Sequence, residues 1–385
     1  MAINSLFLLA LFVIILRIVW FNVGVIRQRK FLSINDKEAN RFVSVIIPAR
    51  NEEANIERCI RSVASNSYPL EKYEIIAVDD RSCDNTYNIL LRLKNEIPNL
   101  RLVKVTTPHL DSNLQGKPGA IQSGIDLAKG EIFLFTDADC VVHKKWISKM
   151  TAIYENQEVA LVASYTTVQY SNVFHKLQSM EWIYMHTLAS AGLGINQPLG
   201  CFGNNLSIRA KDFNEIGGYS NITFSVTEDL ALLQTIFDAG KRPVYICNSQ
   251  TVVETLPLSR FRDYVRQHHR WTVGGLNLGW RATFFVASSA ALWLGIIISL
   301  IAGELFWTFS FIFVRFAGDF SLLAPTLRIL DLKKMIKWIV PSSLFFMLVE
   351  LFVPFLLLKK NIKWKDQVLT NKVVVKVRSS VENSV

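Results

Sequence analysis

EIFLFTDAD, residues Glu131 to Asp139, decides the fold of this chain. Ile132 to Phe135 are apolar without alternation, which predicts a strand buried on both faces. Two acidic residues, Asp137 and Asp139, close it. Working outward, two earlier runs have the same form. FVSVII (Phe42–Ile47) is apolar except for Ser44 and stops at Pro48, and EIIAV (Glu74–Val78) ends in Asp79–Asp80. Helical spacing predicts helices over 55–64, 86–93 and 118–127, with another strand over 102–105. Apolar strands alternating with helices imply α/β layers and a mainly parallel sheet. Its ligand crevice is then expected at the carboxyl ends of the strands. Beyond Asp139 the spacing predicts helices over 146–154, 174–190 and 229–239, the last closed by Gly240. Strands are expected over 160–169 and 206–209.

Half of the 385 residues are hydrophobic, an excess for a soluble chain. The excess lies before residue 23 and after residue 282. Leu6–Val23 is long enough to cross a bilayer once extended back to about 20 residues. Its basic residues, Arg27, Arg29 and Lys30, follow the apolar run, whereas a cleaved leader carries them in front, so a retained anchor is expected. Arg17 reaches the interface by snorkelling. Phe284–Val314 is apolar but for Glu304; the stretch from 283 to about 325 reads as two tilted spans, with one long element over 283–316 or a re-entrant segment as alternatives. A last span covers Ile339–Leu358, interrupted by Pro341 and Glu350. Three or four spans are expected in all. Lysines at 359, 360 and 363 favour a cytoplasmic tail, whereas four full spans with a cytoplasmic central domain would place that tail outside.

The net charge of +10 is assigned to the membrane surface, with Lys333, Lys334 and Lys337 beside the last span. No nucleic-acid reader motif accompanies it. Five cysteines without CxxC spacing exclude a disulfide framework and a thiolate metal cage, and point to a reducing compartment. The expected organisation is an anchor at 1–24, a catalytic domain at 40–259, an interfacial segment at 260–282, membrane helices at 283–360 and a basic tail at 361–385. Arg260–Trp280 mixes basic and aromatic residues, as an amphipathic helix along the bilayer does.

Several short motifs offer chemistry. Carboxylates at Asp137 and Asp139 suit Mg2+ or Mn2+, and such an ion bridges to diphosphate oxygens. Asp79 and Asp80 end a parallel strand at the same edge, where a carboxylate accepts a hydrogen bond from a base; the plain alternative is a turn, with Asp84 capping the helix at Thr86. PARNEE (Pro48–Glu53) also follows a strand and is a candidate nucleotide wall. Lys117, in QGKPGA, offers a point charge to phosphate, although no P-loop is present. Asp229, in TED, precedes a helix, where a carboxylate beside an acceptor hydroxyl can act as general base; Glu228 either orients it or is a solvent-exposed neighbour. CFGNN (Cys201–Asn205) suits a substrate-facing turn or an ordinary one. Gln267, Arg270 and Trp271 share one helical face. His268 and His269 diverge, so no histidine metal site is expected.

In the order PARNEE, VDD, GKPGA, TDAD, GNN, TED and QHHRW, over roughly residues 42–281, these motifs together resemble the family 2 glycosyltransferases. The likeness is strongest to the membrane-embedded branch of cellulose, chitin and hyaluronan synthases, ceramide glucosyltransferase and carotenoid glycosyltransferases. The resemblance implies a GT-A-like nucleotide-sugar-binding domain with transmembrane helices at both ends. It implies that Pro48, Arg50, Glu52, Asp79, Asp80 and Lys117 form the nucleotide site. Asp137, Ala138 and Asp139 then hold the diphosphate and a divalent metal, Mg2+ or Mn2+. Asp229 acts as base; Gly203, Asn204, Asn205 and Glu228 stand on the acceptor side; Gln267, Arg270 and Trp271 close the site. The implied partners are a nucleotide-sugar donor, with UDP-hexose preferred, a lipid or other hydrophobic acceptor, and membrane lipid. Direct displacement inverts the anomeric centre. Alternatives are a processive polysaccharide synthase, a polyprenyl-phosphate glycosyltransferase, whose relatives commonly lack QxxRW, and a non-enzymatic membrane scaffold. VDDRS departs from the family, where many relatives carry glycine at position 81.

Overall fold

The computed structural model describes residues 2–29, 41–358, 361–364 and 367–370. Helix α1 (Ala2–Arg29) comes first. The first half of the core comprises β1 (Val43–Ala49), α2 (Ile56–Ala64), β2 (Tyr73–Asp80), α3 (Thr86–Glu96), β3 (Leu100–Val105), α4 (Lys117–Ile125) and β4 (Ile132–Phe135). The second half adds β5 (Val141–Val142), α5 (Trp146–Thr151), β6 (Val159–Ser164), β7 (Thr166–Val168), α6 (Val173–Gly194), β8 (Leu206–Arg209), α7 (Ala210–Glu215), α8 (Glu228–Asp238), β9 (Arg242–Ile246) and β10 (Val253–Thr255). Helices α9 (Phe261–Gly275), α10 (Thr283–Ile301), α11 (Leu305–Ile329) and α12 (Ile339–Leu356) lead to a hairpin, β11 (Asn361–Trp364) and β12 (Gln367–Thr370). The expected basic tail otherwise lies outside the described residues, as do Lys30, Lys359 and Lys360.

A seven-stranded sheet in the order β3-β2-β1-β4-β8-β6-β9 forms the centre. Strands β1, β2, β3 and β4 run parallel, and β8 runs against β4 and β6. The register pairs Ala49 with Asp79 and Ile46 with Phe135. Strands β1, β2 and β4 therefore end at one edge, and the chain after each one enters the same crevice. Both faces are covered, which explains the unbroken apolar runs. Val45 and Ile47 face one core with Ile60 and Trp146, while Ile46 faces the other with Ile121 and Met180. Ser44, the polar exception in β1, is buried and donates to Glu74 at 2.7 Å while accepting from Gly130 N at 2.8 Å. Arg101 also donates to Glu74, at 2.8 Å. A buried polar group is tolerable where it is saturated in this way.

The single strand expected over 160–169 is two. Strand β6 belongs to the large sheet, and β7 pairs with β10 in a small sheet of order β5-β10-β7. Buried Tyr165 lies between them. Strands β9 and β10 carry no alternating signal of their own and are set by their pairing partners.

Among the described residues, four helical stretches are long and apolar enough to cross a membrane: Ile3–Arg29, Phe261–Ile301, Leu305–Ile329 and Lys333–Phe352. This gives the chain integral-membrane character. The long segment after residue 283 is broken at Gly303 into α10 and α11, so it is not one continuous element. Helix α1 also packs on α6 of the α/β core. A Cβ on Gly24 would lie 2.1 Å from the Ala191 carbonyl oxygen, and one on Gly194 would lie 1.9 Å from that of Gly24. Only glycine permits this backbone approach. Gln28 Oε1 then accepts from Tyr245 N of β9 at 3.1 Å, tying the anchor to the sheet.

Candidate active site

The carboxyl edge of the sheet opens into a cleft of about 230 Å3. Pro48 near the end of β1, with Arg50 and Glu52 just beyond it, lines the cleft beside Asp80 at the end of β2 and Asp137, Ala138 and Asp139 after β4. The far wall carries Gly203, Asn204, Glu228 and Asp229, and α9 covers it with Gln267, Arg270 and Trp271. Segments far apart in sequence thus face one space.

Lys117 joins the two acidic motifs. It opens α4 beside Pro118, a favoured residue in a first helical turn. Its Nζ lies 2.7 Å from Asp137 Oδ1 and 3.1 Å from Glu228 Oε1. Burial disfavours its charge, but Asp137 and Glu228 outweigh burial and hold its pKa well above the ordinary lysine value.

The TDAD turn is pinned from behind. Arg58 donates to the Asp139 carbonyl at 3.1 Å, and Cys59 Sγ to that of Asp137 at 3.3 Å. Asp139 Oδ2 accepts from Thr255 at 3.1 Å. Burial raises the Asp139 pKa, and the carboxylates of Asp137 and Glu52 raise it further. Such crowding of negative charge suits a cation. Among the described residues, no group of three or more His, Cys, Asp or Glu side chains forms a metal cage. Two carboxylates with space beside them nevertheless fit Mg2+ or Mn2+ shared with substrate phosphates, the usual arrangement for Mg2+.

Asp229 sits in the first turn of α8. Its Oδ2 accepts from Gly203 N at 2.7 Å, and its Oδ1 from Leu230 N at 2.8 Å. Burial and the adjacent Glu228 push its pKa up to about 6, against the pull of Lys117 and these two amides. A carboxylate poised there is a competent general base near neutral pH.

Two candidates stand apart from the cleft. Asp79 is buried behind the lining, where burial raises its pKa, and Asp80 alone of that pair faces the cleft. Asn205 is fully buried and saturated: it donates to the Tyr165 and Thr251 carbonyls at 2.7 and 2.8 Å and accepts from Trp146 Nε1 at 2.9 Å. It holds the GNN turn against the core, while Asn204 lines the cleft and accepts from Thr166 at 3.0 Å.

Arg81 is the departure in VDDRS. Its φ is 55°, a left-handed conformation costly for a side chain with a Cβ. In that position its Nε and Nη2 donate to the two oxygens of Asp80 at 2.7 and 3.2 Å. Arg50 approaches the same carboxylate at 3.7 Å. Asp84 accepts from Thr86 N at 3.0 Å, so the acidic loop also contains an ordinary capping contact.

Helix α9 is pressed against the TED loop. A Cβ on Gly274 would come within 2.4 Å of Thr227, so glycine brings QHHRW onto Asp229's loop. His268 points away from the cleft. Its Nε2 lies 2.9 Å from Glu181, which also accepts from the Tyr264 hydroxyl at 2.8 Å.

The lining also holds Gln178, Trp182 and Thr255, which no motif marked, and Phe202 and Thr227, which lie in CFGNN and TED but were not singled out. Phe202 lies inside the CFGNN motif, and its large apolar side chain among small polar ones was a usable signal. Trp182 and Thr255 sit in an ordinary helix and strand and carry no local mark.

The family model described as Glycosyl transferase family 2 matches residues 44–230. Glycosyltransferase AglE of Haloferax volcanii is 34% identical over 131 residues, which cover 34% of this chain and 41% of that protein. Beta-monoglucosyldiacylglycerol synthase of Trichormus variabilis is 28% identical over 198 residues, covering 50% of this chain and 40% of that one. The chain thus spans less than half the length of these curated relatives. A solved mannosyltransferase, PcManGT from Pyrobaculum calidifontis in complex with GDP-Man and Mn2+, superposes with a TM-score of 0.52 at 17% identity, covering 89% of this chain and 99% of that one. That likeness concerns the fold. The matched segment contains the edge carboxylates, Lys117 and Asp229, and over it this chain is similar to the family 2 glycosyltransferases, on a GT-A-like core flanked by helices long enough to cross a membrane.

Proposed function

We propose that this chain transfers one hexose from a nucleotide sugar, UDP-hexose in the first instance, to a hydroxyl of a lipid acceptor at the membrane. The observation that carries the reading is Asp229. A carboxylate with its pKa raised to about 6 lies across the cleft from Asp137 and Asp139, beside aromatic rings that back onto the membrane helices. The acceptor O–H gives its proton to Asp229 as its oxygen attacks the anomeric carbon. The bond from that carbon to the diphosphate oxygen breaks with its electron pair, and configuration inverts. Asp137 and Asp139 would hold a divalent ion, which offsets charge on the departing nucleoside diphosphate. Lys117 supplies a further point charge, and Arg270 a planar donor set suited to phosphate. Asp80 stands where the nucleoside end is expected, and Gly203 and Asn204 shape the acceptor side. The name of the Trichormus relative supports a lipid acceptor. Arg27 and Arg29, in the last turn of α1, favour a cytoplasmic catalytic domain.

The test is a screen of nucleotide sugars against lipid acceptors with the full chain in nanodiscs, read by product mass. A single added hexose is expected. A ladder of products would replace this reading with processive synthesis, transfer to a polyprenyl phosphate would replace the hydroxyl acceptor, and no ion-dependent donor use would favour a scaffold.

A further inference from the structure

A second cavity, of about 280 Å3, lies behind the aromatic wall of the cleft. Phe202 and Trp271 line both spaces. Their ring centroids are 6.0 Å apart, and Trp182 completes a triangle at 5.4 Å from Phe202 and 5.6 Å from Trp271. Much of the rest of this chamber comes from membrane-length helices and α6, through Phe21 of α1, Phe285 of α10, Val349 of α12, and Met185 and Leu188, with the loop residues Leu199 and Gly200 completing it. It therefore sits where the spans meet the catalytic core, one layer of rings away from Asp229.

The lining decides what fits. Its polar side-chain groups come from Glu181, Tyr184, His268, Trp271, Thr272 and Glu350. Glu181 and His268 face each other at 2.9 Å. Glu350 accepts from Arg315 at 2.9 Å through Oε1, and its buried Oε2 has no hydrogen-bond partner among the described residues. A glycan brought here would leave many hydroxyls unmatched, at a cost on the order of 1–3 kcal/mol each. A hydrocarbon chain gains about 0.8 kcal/mol per buried methylene instead.

We propose that this chamber receives an aliphatic chain of the acceptor lipid from between the spans. The Phe202–Trp271 partition then holds the lipid's hydroxyl end at Asp229. The inference rests on the lipid-acceptor reading above and adds to it where the hydrocarbon goes.

The test uses the full chain in phosphatidylcholine nanodiscs containing a diacylglycerol with a diazirine on one acyl chain. Irradiation and peptide mapping locate the adducts, and the same samples are assayed for sugar transfer to that diacylglycerol. Adducts are expected at Met185, Leu188 or Val349. Filling the chamber with Met185→Trp, or independently with Val349→Trp, displaces about two methylenes and lowers these adducts roughly tenfold. Adducts at Phe309, exposed on α11, stay unchanged. Adducts confined to outer helix faces, or insensitive to both substitutions, overturn the proposal. Glycosylated product without chamber adducts refutes the chamber alone. Chamber adducts without glycosylated product refute the acceptor assignment while retaining an aliphatic site.

Discussion

Replacing Asp229 with asparagine separates chemistry from stability. The carboxyl pKa rises from 3.8 to about 6 on folding. Burial and Glu228 therefore make the ionised form unfavourable in the fold. A raised folded pKa contributes stability that is full below the unfolded value and lost as pH rises through the folded one. For Asp229 that window runs from 3.8 to about 6. Between about pH 7.5 and about pH 4.5, wild type gains at most about 2 kcal/mol from this group. Asparagine has no such titration. It also cannot accept from both Gly203 N and Leu230 N as the carboxylate does. The lost bond costs about 1–3 kcal/mol, but it costs the same at every pH. The decisive quantity is thus the change with pH of the difference between D229N and wild type. Thermal midpoints in detergent at those two pH values are expected to change in relative position by roughly 2–3 °C, with wild type gaining on acidification. Other carboxylates titrate in both proteins and cancel to first order. Transfer by D229N falls by about 10²–10⁴, while wild-type transfer rises through about pH 6 as the base deprotonates. A pH-independent midpoint difference would refute the raised pKa, and undiminished transfer would refute the base.

The same cleft yields two further predictions. Asp139→Asn removes a charge that Asp137 and Glu52 oppose; the unliganded protein holds or gains thermal stability while Mn2+-dependent UDP binding, read by calorimetry, is lost, and wild-type affinity would defeat the metal role. Arg81→Gly relieves the φ of 55° and releases Asp80, so it is expected to be more stable than Arg81→Ala by about 1 kcal/mol and to change UDP affinity; equal midpoints for the two variants would show that the backbone there carries no strain.

Much of this protein was legible along the chain because its information is local. EIFLFTDAD, EIIAVDD and FVSVIIPA each spell out a buried strand, although β1 runs on through Pro48 to Ala49 and β2 through Asp79 and Asp80 where stops were expected, because their backbones stay paired with the neighbouring strands. The apolar ends state membrane-crossing length, since span thickness fixes residue count. Asp137, Asp139 and Asp229 are polar groups at element ends, where sequence spacing is informative. The double use of 160–169 was not legible, because β6 and β7 differ in their partners and not in composition. Asn205 and Asp79 stand in motifs beside cleft residues, yet a one-residue step turns each into the core.

The α/β layers, the order of the acidic motifs and the membrane-length helices follow from the chain alone, because these depend on periodicity and hydropathy along it. Folding was needed to bring Lys117 between Asp137 and Glu228, to carry Thr255 to Asp139, and to set Trp182, Phe202 and Trp271 between a polar cleft and an apolar chamber. Those contacts join residues separated by whole elements, and their chemistry depends on burial and charge that exist only once the chain has closed around them.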